Sequence, residues 1–273
     1  MSLLLTARFA DTVAQLPQLD RANPEGLPEV AFVGRSNAGK SSCINTVCNQ
    51  KRLAFSSRTP GRTQALNLFA VGPVNQPRPT GFLVDTPGYG FATASPQAKQ
   101  SWQRLAGDYI TRRQALAGVV LMVDIRRGLT DLDRQLLAWT PAVLPLVLVL
   151  TKADKLSRQQ AVKVRDQIAR EPVLREREGP VLLQLFSILN RHGVEALRAA
   201  IGHLLQDGPW HWQALVAARG PAMPLLLKGQ GLMPDAQAQA QVQMQAQTAT
   251  EAPSGPDDEV AAEQGPAHPD HRG

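Results

Sequence analysis

The stretch Gly34-Arg35-Ser36-Asn37-Ala38-Gly39-Lys40-Ser41 decides the fold of this chain, because it follows the apolar run 30–33 and precedes a segment that can form a helix. A phosphate-binding loop requires this strand–loop–helix context. Gly34 and Gly39 let backbone N–H groups face a polyphosphate, and the helix start adds partial positive charge. Lys40 can then reach the β- and γ-phosphates, and the Ser41 hydroxyl can ligate Mg²⁺. Taken alone, so short a pattern also fits a glycine-rich turn without a ligand.

The composition is that of a globular chain. Of its 273 residues, 43% are hydrophobic, and no apolar run reaches the roughly 18 residues of a membrane span. Residues 1–10 lack the basic start and the cleavage site of a signal peptide. The only cysteines, Cys43 and Cys48, suit apolar filling of one helix better than a metal site or a disulfide. We therefore expect a cytoplasmic protein.

The charge is divided unevenly along the chain. Residues 1–228 contain 28 Lys and Arg against 16 Asp and Glu, a net charge of +12, whereas residues 229–273 contain 1 against 7, a net charge of −6. A basic body favours contact with a polyanion, and RNA or a ribonucleoprotein is the cytoplasmic candidate. The alternative is that the basic residues are spread over the surface and serve only solubility. The tail is rich in Ala, Gln and Pro, has no aromatic residue, and is expected to be disordered.

The apolar segments predict an α/β fold with a six-stranded, mostly parallel sheet and helices on both faces. Strands are expected at 29–34, 65–71, 81–85, 118–125, 143–151 and 181–186, and helices at 39–48, 95–113, 131–139, 157–176 and 194–205. Pro172 is expected to end or bend the helix at 157–176 early. The second and third strands have no helix between them, so we expect one antiparallel edge strand. The predicted divisions are an N-terminal extension (1–28) packing on the nucleotide-binding domain (29–207), a C-terminal segment (208–228) and the tail (229–273).

Three further motifs follow at predicted strand ends, where open α/β sheets bind ligands. In Asp85-Thr86-Pro87-Gly88, the aspartate can hold Mg²⁺ through water and the Gly88 N–H can bond the γ-phosphate. In Thr151-Lys152-Ala153-Asp154, the final carboxylate can accept two hydrogen bonds that guanine offers and adenine does not, while Lys152 covers the base. Phe186-Ser187-Ile188 would place a backbone N–H near the guanine carbonyl. Asp154 alone could be a helix cap, but the ordered set predicts a guanine-nucleotide site.

The loop 57–67 is expected to supply a switch threonine. Pro60 restrains Thr59 to an extended backbone, whereas Thr63 follows a flexible glycine, so Thr63 is predicted to ligate Mg²⁺ and the γ-phosphate. Its neighbours are expected to line the nucleotide: Gly61, Arg62, Gln64 and Ala65. Arg58 and Arg62 are read as solvated charges or RNA contacts, with an arginine finger in cis as the further alternative.

These motifs resemble those of the EngB (YihA/YsxC) group of bacterial GTPases. The resemblance rests on the phosphate loop through Ser42, Thr59-Pro60-Gly61-Arg62-Thr63-Gln64 with Asn67, Asp85-Thr86-Pro87-Gly88-Tyr89-Gly90 and 151–155, and it covers roughly residues 7–210. It implies a three-layer Ras-like GTPase domain that acts in large ribosomal subunit assembly and is required for normal division and septation. The chain departs from the group at Ser187-Ile188, where Ser-Ala or Ser-Ser is usual.

The residue after Gly88 bears on the rate of hydrolysis. Tyr89 stands where Ras-like enzymes have a water-positioning glutamine, so we expect slow intrinsic turnover. Lys40, Thr63, Gly88 and Asn37 are the expected catalytic set. Asn37 is similar to its counterpart in TrmE-like relatives, which implies a K⁺ ion in place of an arginine finger; a loop-stabilising amide is the open alternative.

The expected partners are GTP or GDP and a large-subunit precursor of rRNA and ribosomal proteins, without a membrane and with the chain as a monomer. Acting as a scaffold at the division septum is the alternative function. For that function we would expect a membrane helix or a polybasic anchor, and neither occurs in the sequence.

Overall fold

The structure is a computed structural model that describes residues 2–55, 65–73, 76, 78–90, 103–206 and 225–227. All of these residues belong to the first of two units into which the chain divides, Met1–Gly231. The tail predicted at 229–273 lies outside the described residues.

Eight strands form one sheet in the order β1-β3-β4-β2-β5-β6-β7-β8. Their bounds are β1 Arg8–Val13, β2 Glu29–Gly34, β3 Leu66–Val71, β4 Gly81–Asp85, β5 Leu116–Asp124, β6 Leu146–Thr151, β7 Val181–Leu185 and β8 Leu225–Leu227. The described helices are α1 Pro17–Ala22, α2 Lys40–Val47, α3 Asp108–Arg112, α4 Asp131–Trp139, α5 Arg158–Ile168, α6 Pro172–Arg175 and α7 Val194–Gln206. Short 3-10 helices cover Leu3–Thr6 and Ala153–Lys155, and a π-helical turn, Gln103–Gly107, precedes α3.

The predicted α/β class is confirmed, and the sheet is wider than the six strands expected. The strands β4, β2, β5, β6 and β7 run parallel, while β3 pairs antiparallel with β4 as predicted. The expectation that this antiparallel strand forms the edge is wrong, because β1 pairs outside it. At the other edge, β8 pairs antiparallel with β7.

The N-terminal strand was missed because it carries no apolar face. Five of the six residues of β1 are exposed, and only Val13 is buried. The sequence signal for a half-buried strand is alternation of apolar and polar residues, and an exposed edge strand does not need it. Phe9 instead lies 57% exposed, with its ring edge-to-face on Phe69 at a centroid distance of 6.2 Å.

Alternate residues of the central strand face two separate cores, which makes three layers. Val30 and Phe32 of β2 belong to a core that includes side chains of α2 and α7. Ala31 and Val33 belong to the core on the other face, which includes side chains of α1 and α3 to α6. All six residues of β2 are buried, as expected for a parallel strand covered on both faces.

Two helices near the site begin at side-chain caps. Thr130 and Asp133 form a capping box at the start of α4, and Ser157 and Gln160 form another at the start of α5. Such caps satisfy N–H groups that have no partner within the helix. The helix predicted over 157–176 is interrupted near Pro172, as expected: α5 ends at Ile168, and Pro172 begins α6.

The described part of the chain contains no helix long and apolar enough to cross a membrane. Cys43 and Cys48 are free and buried in the core beside α2, and burial raises the pKa of Cys48 to about 12. The prediction that both are apolar filling agrees with this placement.

Candidate functional site

The predicted phosphate loop joins β2 to α2 at the carboxyl edge of the sheet. A side chain at Gly34 would begin 2.7 Å from the carbonyl oxygen of Met122 in β5, so only glycine lets the loop approach that strand. Asn37 has a left-handed backbone with φ of 63°, and Gly39 precedes α2 with φ of 100°. Residues 34–39 therefore turn sharply before the helix begins.

Lys40 is held at the centre of this loop. Its side chain is buried, and its Nζ donates to the carbonyl oxygens of Gly34 at 3.1 Å and Arg35 at 3.4 Å. Burial lowers the pKa of Lys40, and the negative charge of Asp85 acts in the opposite direction. The ammonium group thus lies among main-chain oxygens of the predicted phosphate loop.

Two of the three predicted metal ligands meet directly. The Ser41 hydroxyl donates to Asp85 Oδ2 at 2.7 Å, across the ends of α2 and β4. The other carboxylate oxygen, Oδ1, is buried without a hydrogen-bond partner among the described residues. Burial raises the pKa of Asp85, while Lys40 and the Ser41 hydrogen bond lower it. A hydroxyl and a carboxylate with an unused buried oxygen form a donor set that fits Mg²⁺.

The segment after β4 lies against the phosphate loop. Thr86 Oγ1 donates to the carbonyl oxygen of Phe32 at 2.8 Å. A side chain at Gly88 would begin 2.9 Å from the Ser36 backbone, so glycine is required for this approach. The Ser36 N–H donates to the Tyr89 carbonyl oxygen at 2.9 Å. Pro87 lies between Thr86 and Gly88, which are both held in place by these contacts. The Asp85-Thr86-Pro87-Gly88 motif therefore lies beside the phosphate loop, as predicted.

Tyr89 is buried rather than directed into solvent. Its hydroxyl donates to Asp133 Oδ1 at 2.5 Å, and the other oxygen of Asp133 accepts from the N–H and hydroxyl of Thr130. The pKa of Tyr89 is raised well above its usual value by burial and then by Asp133. The hydroxyl is thus protonated and engaged with the start of α4.

The predicted base-recognition motif is joined to the same loop by hydrogen bonds. Thr151 Oγ1 donates to the carbonyl oxygens of Ala38 at 3.2 Å and Val123 at 3.1 Å. Lys152 Nζ lies 2.8 Å from Asp124 Oδ2 and 3.4 Å from the Asn37 carbonyl oxygen. These contacts join the residue after β6 to the phosphate loop, so that a base and a phosphate chain can be held at one edge.

Asp154 is oriented by the strand that follows. The Ser187 hydroxyl donates to Asp154 Oδ1 at 2.6 Å, and this bond is the largest cause that lowers the pKa of the carboxyl. The Ala153 N–H donates to the carbonyl oxygen of Phe186, which is buried. Asp154 is therefore held as a carboxylate, the form that accepts two hydrogen bonds from one partner.

The predicted loop 186–188 reaches the site through a side chain, whereas a backbone N–H was expected to contact the base. The Ser187 N–H is engaged by the His192 carbonyl oxygen, so it is not free for a ligand. The described contribution of Ser187 is its hydroxyl on Asp154. Ile188, the departure from the usual motif, is 43% exposed.

Four predicted residues cannot be placed: Gly61, Arg62, Thr63 and Gln64 lie outside the described residues. Ala65 is described just before β3 and is partly buried. Sequence reasoning missed Asp124, which binds Lys152 and also accepts from the guanidinium of Arg126. Its position in the sequence could have indicated it, because Asp124 stands at the end of the apolar strand β5 as Asp85 stands at the end of β4.

Comparison with known proteins agrees with this arrangement. Residues 29–152 match the family described as "50S ribosome-binding GTPase". The chain is 52% identical over 206 residues to a protein of Cupriavidus taiwanensis called "Probable GTP-binding protein EngB", covering 74% of this chain and 86% of that protein. A protein of the same description from Ralstonia nicotianae is 50% identical over 210 residues, covering 75% and 88%.

Among solved structures, one titled "Crystal structure of a probable GTP-binding protein engB" aligns with 65% of this chain and 98% of its own, at 19% identity and a TM-score of 0.47.

Proposed function

The chain belongs to the EngB family of GTP-binding proteins and is a GTPase, and we propose that it acts as a nucleotide-controlled factor in assembly of the large ribosomal subunit. The observation that carries the nucleotide part is the convergence of the loop 34–41, Asp85 and Asp154 at one sheet edge. The ribosomal part is supported by charge and by the description of the matching family.

The residues are assigned roles by their placement. We assign phosphate binding to the N–H groups of 34–41 and to Lys40, and guanine recognition to Asp154 with Ser187 as its positioning residue. A carboxylate that pairs with guanine N1–H and the 2-amino group rejects adenine, because adenine leaves buried polar atoms unpaired. Gly88 is assigned to the γ-phosphate, since it lies against the Ser36 backbone.

Mg²⁺ is the proposed cofactor, held by Ser41 and Asp85, with Thr63 as the ligand expected from the loop outside the described residues. When bound, the ion would supply positive charge that offsets the negative charge developing on the phosphates during transfer. Asp85 would contact the ion in its ionised form, as a carboxylate. The Ser41 hydroxyl would turn from Asp85 to the ion. Asp85 Oδ1, which has no hydrogen-bond partner among the described residues, supports this assignment.

Slow intrinsic hydrolysis follows from Tyr89, whose side chain is engaged with Asp133 and has no amide to orient a water. Asn37 is exposed in the phosphate loop, and we propose that its amide oxygen contributes to a K⁺ site. Turnover measured in K⁺ and in Na⁺, with and without ribosomal particles, tests both statements. Fast, partner-free turnover that is equal in the two salts contradicts them.

The basic body supports an RNA-containing partner. Residues 1–228 carry a net charge of +12, and attraction to phosphates is the main sequence-independent force in binding nucleic acid. Ribosome assembly in bacteria takes place in the cytoplasm, which is the location we propose. A defect in division and septation would then follow from a shortage of large subunits.

Gradient sedimentation tests this function. Cell extract from a depleted strain is mixed with the full chain loaded with a non-hydrolysable GTP analogue or with GDP. Co-migration with large-subunit precursors only with the analogue is expected. Equal sedimentation in both nucleotide states, or localisation of the chain to the septum without particle binding, would contradict the proposal.

A further inference from the structure

A small cleft lies between the phosphate loop and the start of α4. Its volume is about 140 Å³, and the residues that line it include 35–38, 122–124, 126–128, Thr130, Asp133 and Lys152. Small-molecule pockets usually measure at least about 300 Å³. The cleft therefore suits one small group better than a second nucleotide.

The charge of the cleft is positive. Four cationic side chains line it, namely Arg35, Arg126, Arg127 and Lys152, against two carboxylates. Asp124 is already engaged by Arg126 and Lys152, at 2.7 Å and 2.8 Å. Asp133 is buried, and its oxygens accept from Tyr89 and Thr130. Neither carboxylate is left to neutralise the remaining guanidinium groups.

Arg35 and Arg127 are those remaining groups. No ion pair involves either of them within the described ranges, and Arg127 is exposed. A guanidinium presents a planar fork of N–H donors that matches the oxygens of a phosphate group, and such bonds are stronger than neutral ones. A cleft of this size and charge fits one phosphate of a chain that continues outside it.

The cleft is also connected to the segment that follows β4. The Ser36 N–H donates to the Tyr89 carbonyl oxygen, and the Tyr89 hydroxyl donates to Asp133 in the cleft wall. A side chain at Gly90 would begin 3.1 Å from Arg35 Nε. Segments at this position rearrange between nucleotide states in GTPases, so the cleft has a physical route to respond to the bound nucleotide.

We propose that Arg35 and Arg127 form a phosphodiester-binding cleft beside the phosphate loop, through which the chain contacts RNA in a nucleotide-dependent manner. The proposal rests on the proposed function and names a surface for it. RNA is favoured over an acidic protein because residues 1–228 carry a net charge of +12 and the cleft has room for a single phosphate-sized group.

Charge reversal at Arg127 tests the cleft. Fluorescence anisotropy measures binding of the full chain to a short fluorescein-labelled RNA hairpin over a range of KCl concentrations, with a GTP analogue or GDP. The matched control is Arg170→Glu, an exposed arginine just after the end of α5. Because that helix runs back along the sheet, its end lies away from the carboxyl edge. A fluorescent GTP analogue checks that both variants keep their nucleotide affinity.

Arg127→Glu should weaken RNA binding about tenfold and reduce the slope of log affinity against log salt by about 1. Arg170→Glu should change affinity less than about twofold. Equal losses in the two variants would overturn the cleft, because they would show only general charge attraction. Unchanged RNA binding with loss of binding to a polyglutamate probe would overturn it in favour of an acidic protein.

The cleft proposal and the proposed function can fail independently of each other. If wild-type chain binds no RNA hairpin yet still co-migrates with large-subunit precursors, the cleft proposal fails and the assembly function stands through protein contacts. If the chain fails in both experiments, both proposals fail.

Discussion

Substitution of Asp124 by asparagine tests whether the link between base recognition and the phosphate loop matters for nucleotide affinity. Asp124 lies directly opposite Thr151 in the register of β5 and β6. Its Oδ2 holds Lys152 Nζ at 2.8 Å, and the same ammonium lies 3.4 Å from the Asn37 carbonyl oxygen. Asparagine keeps the size of the side chain and removes its charge.

The expected loss of affinity follows from the distance between the Asp124 carboxylate and the Lys152 ammonium group and from the exposure of the Lys152 side chain. Opposite unit charges 2.8 Å apart interact by about 6 kcal/mol at an effective dielectric constant of about 20. The Lys152 side chain is 37% exposed, so solvent screening and side-chain freedom reduce the net value to about 1 kcal/mol. If that energy positions Lys152 for the nucleotide, affinity for GTP and GDP should fall about fivefold.

Titration with a fluorescent guanine nucleotide at low and high salt measures the effect. Asp166→Asn is the control, because Asp166 pairs with Arg165 at 2.8 Å on α5 without contact with the site. The Asp124→Glu variant restores the charge and should recover part of the affinity. Unchanged affinity in Asp124→Asn, or an equal loss in Asp166→Asn, would refute the reasoning.

Four other substitutions are informative. Lys40→Ala and Asp154→Asn should weaken GTP binding, the second with a shift of preference to xanthosine nucleotides; unchanged GTP affinity in both would refute the site. Because burial raises the pKa of Asp85, its ionisation disfavours the folded state as pH rises above the unfolded value of about 4. At neutral pH, Asp85→Asn should therefore leave the urea midpoint of the nucleotide-free protein unchanged or higher while removing the Mg²⁺ dependence of GTP binding; a lower midpoint contradicts this. Arg177 is buried and donates to the carbonyl oxygens of Pro141 and Leu144, both at 2.7 Å, so Arg177→Met should lower the free energy of unfolding by about 3 kcal/mol, whereas the exposed Arg175→Met should have little effect.

The parts of the fold that could be predicted are those whose sequence reports burial. Val30 to Val33 are all fully buried, and a continuous apolar run bounded by glycine indicates such a strand. Once the strands are placed, their carboxyl ends must lie together. The meeting of Ser41, Asp85 and Thr151 at one edge follows from that geometry.

The missed features depend on neighbours that are distant in sequence. β1 is a strand because β3 offers it an edge to pair with, and its exposed residues carry no trace of that pairing. The contact of Asp124 with Lys152 requires the register of two strands. The Tyr89 hydrogen bond to Asp133 likewise crosses from a loop to the start of a helix. Local patterns predict elements, but these contacts are set by tertiary structure.

The central claim is that the chain binds large-subunit precursors preferentially in one nucleotide state. Linkage requires that, if GTP raises affinity for the particle, the particle raises affinity for GTP by the same factor. The direct measurement is the affinity of a non-hydrolysable GTP analogue and of GDP, each with and without purified large-subunit precursors. The account predicts that the particles tighten binding of the analogue about fivefold or more and leave GDP unchanged; equal affinities with and without particles would contradict it.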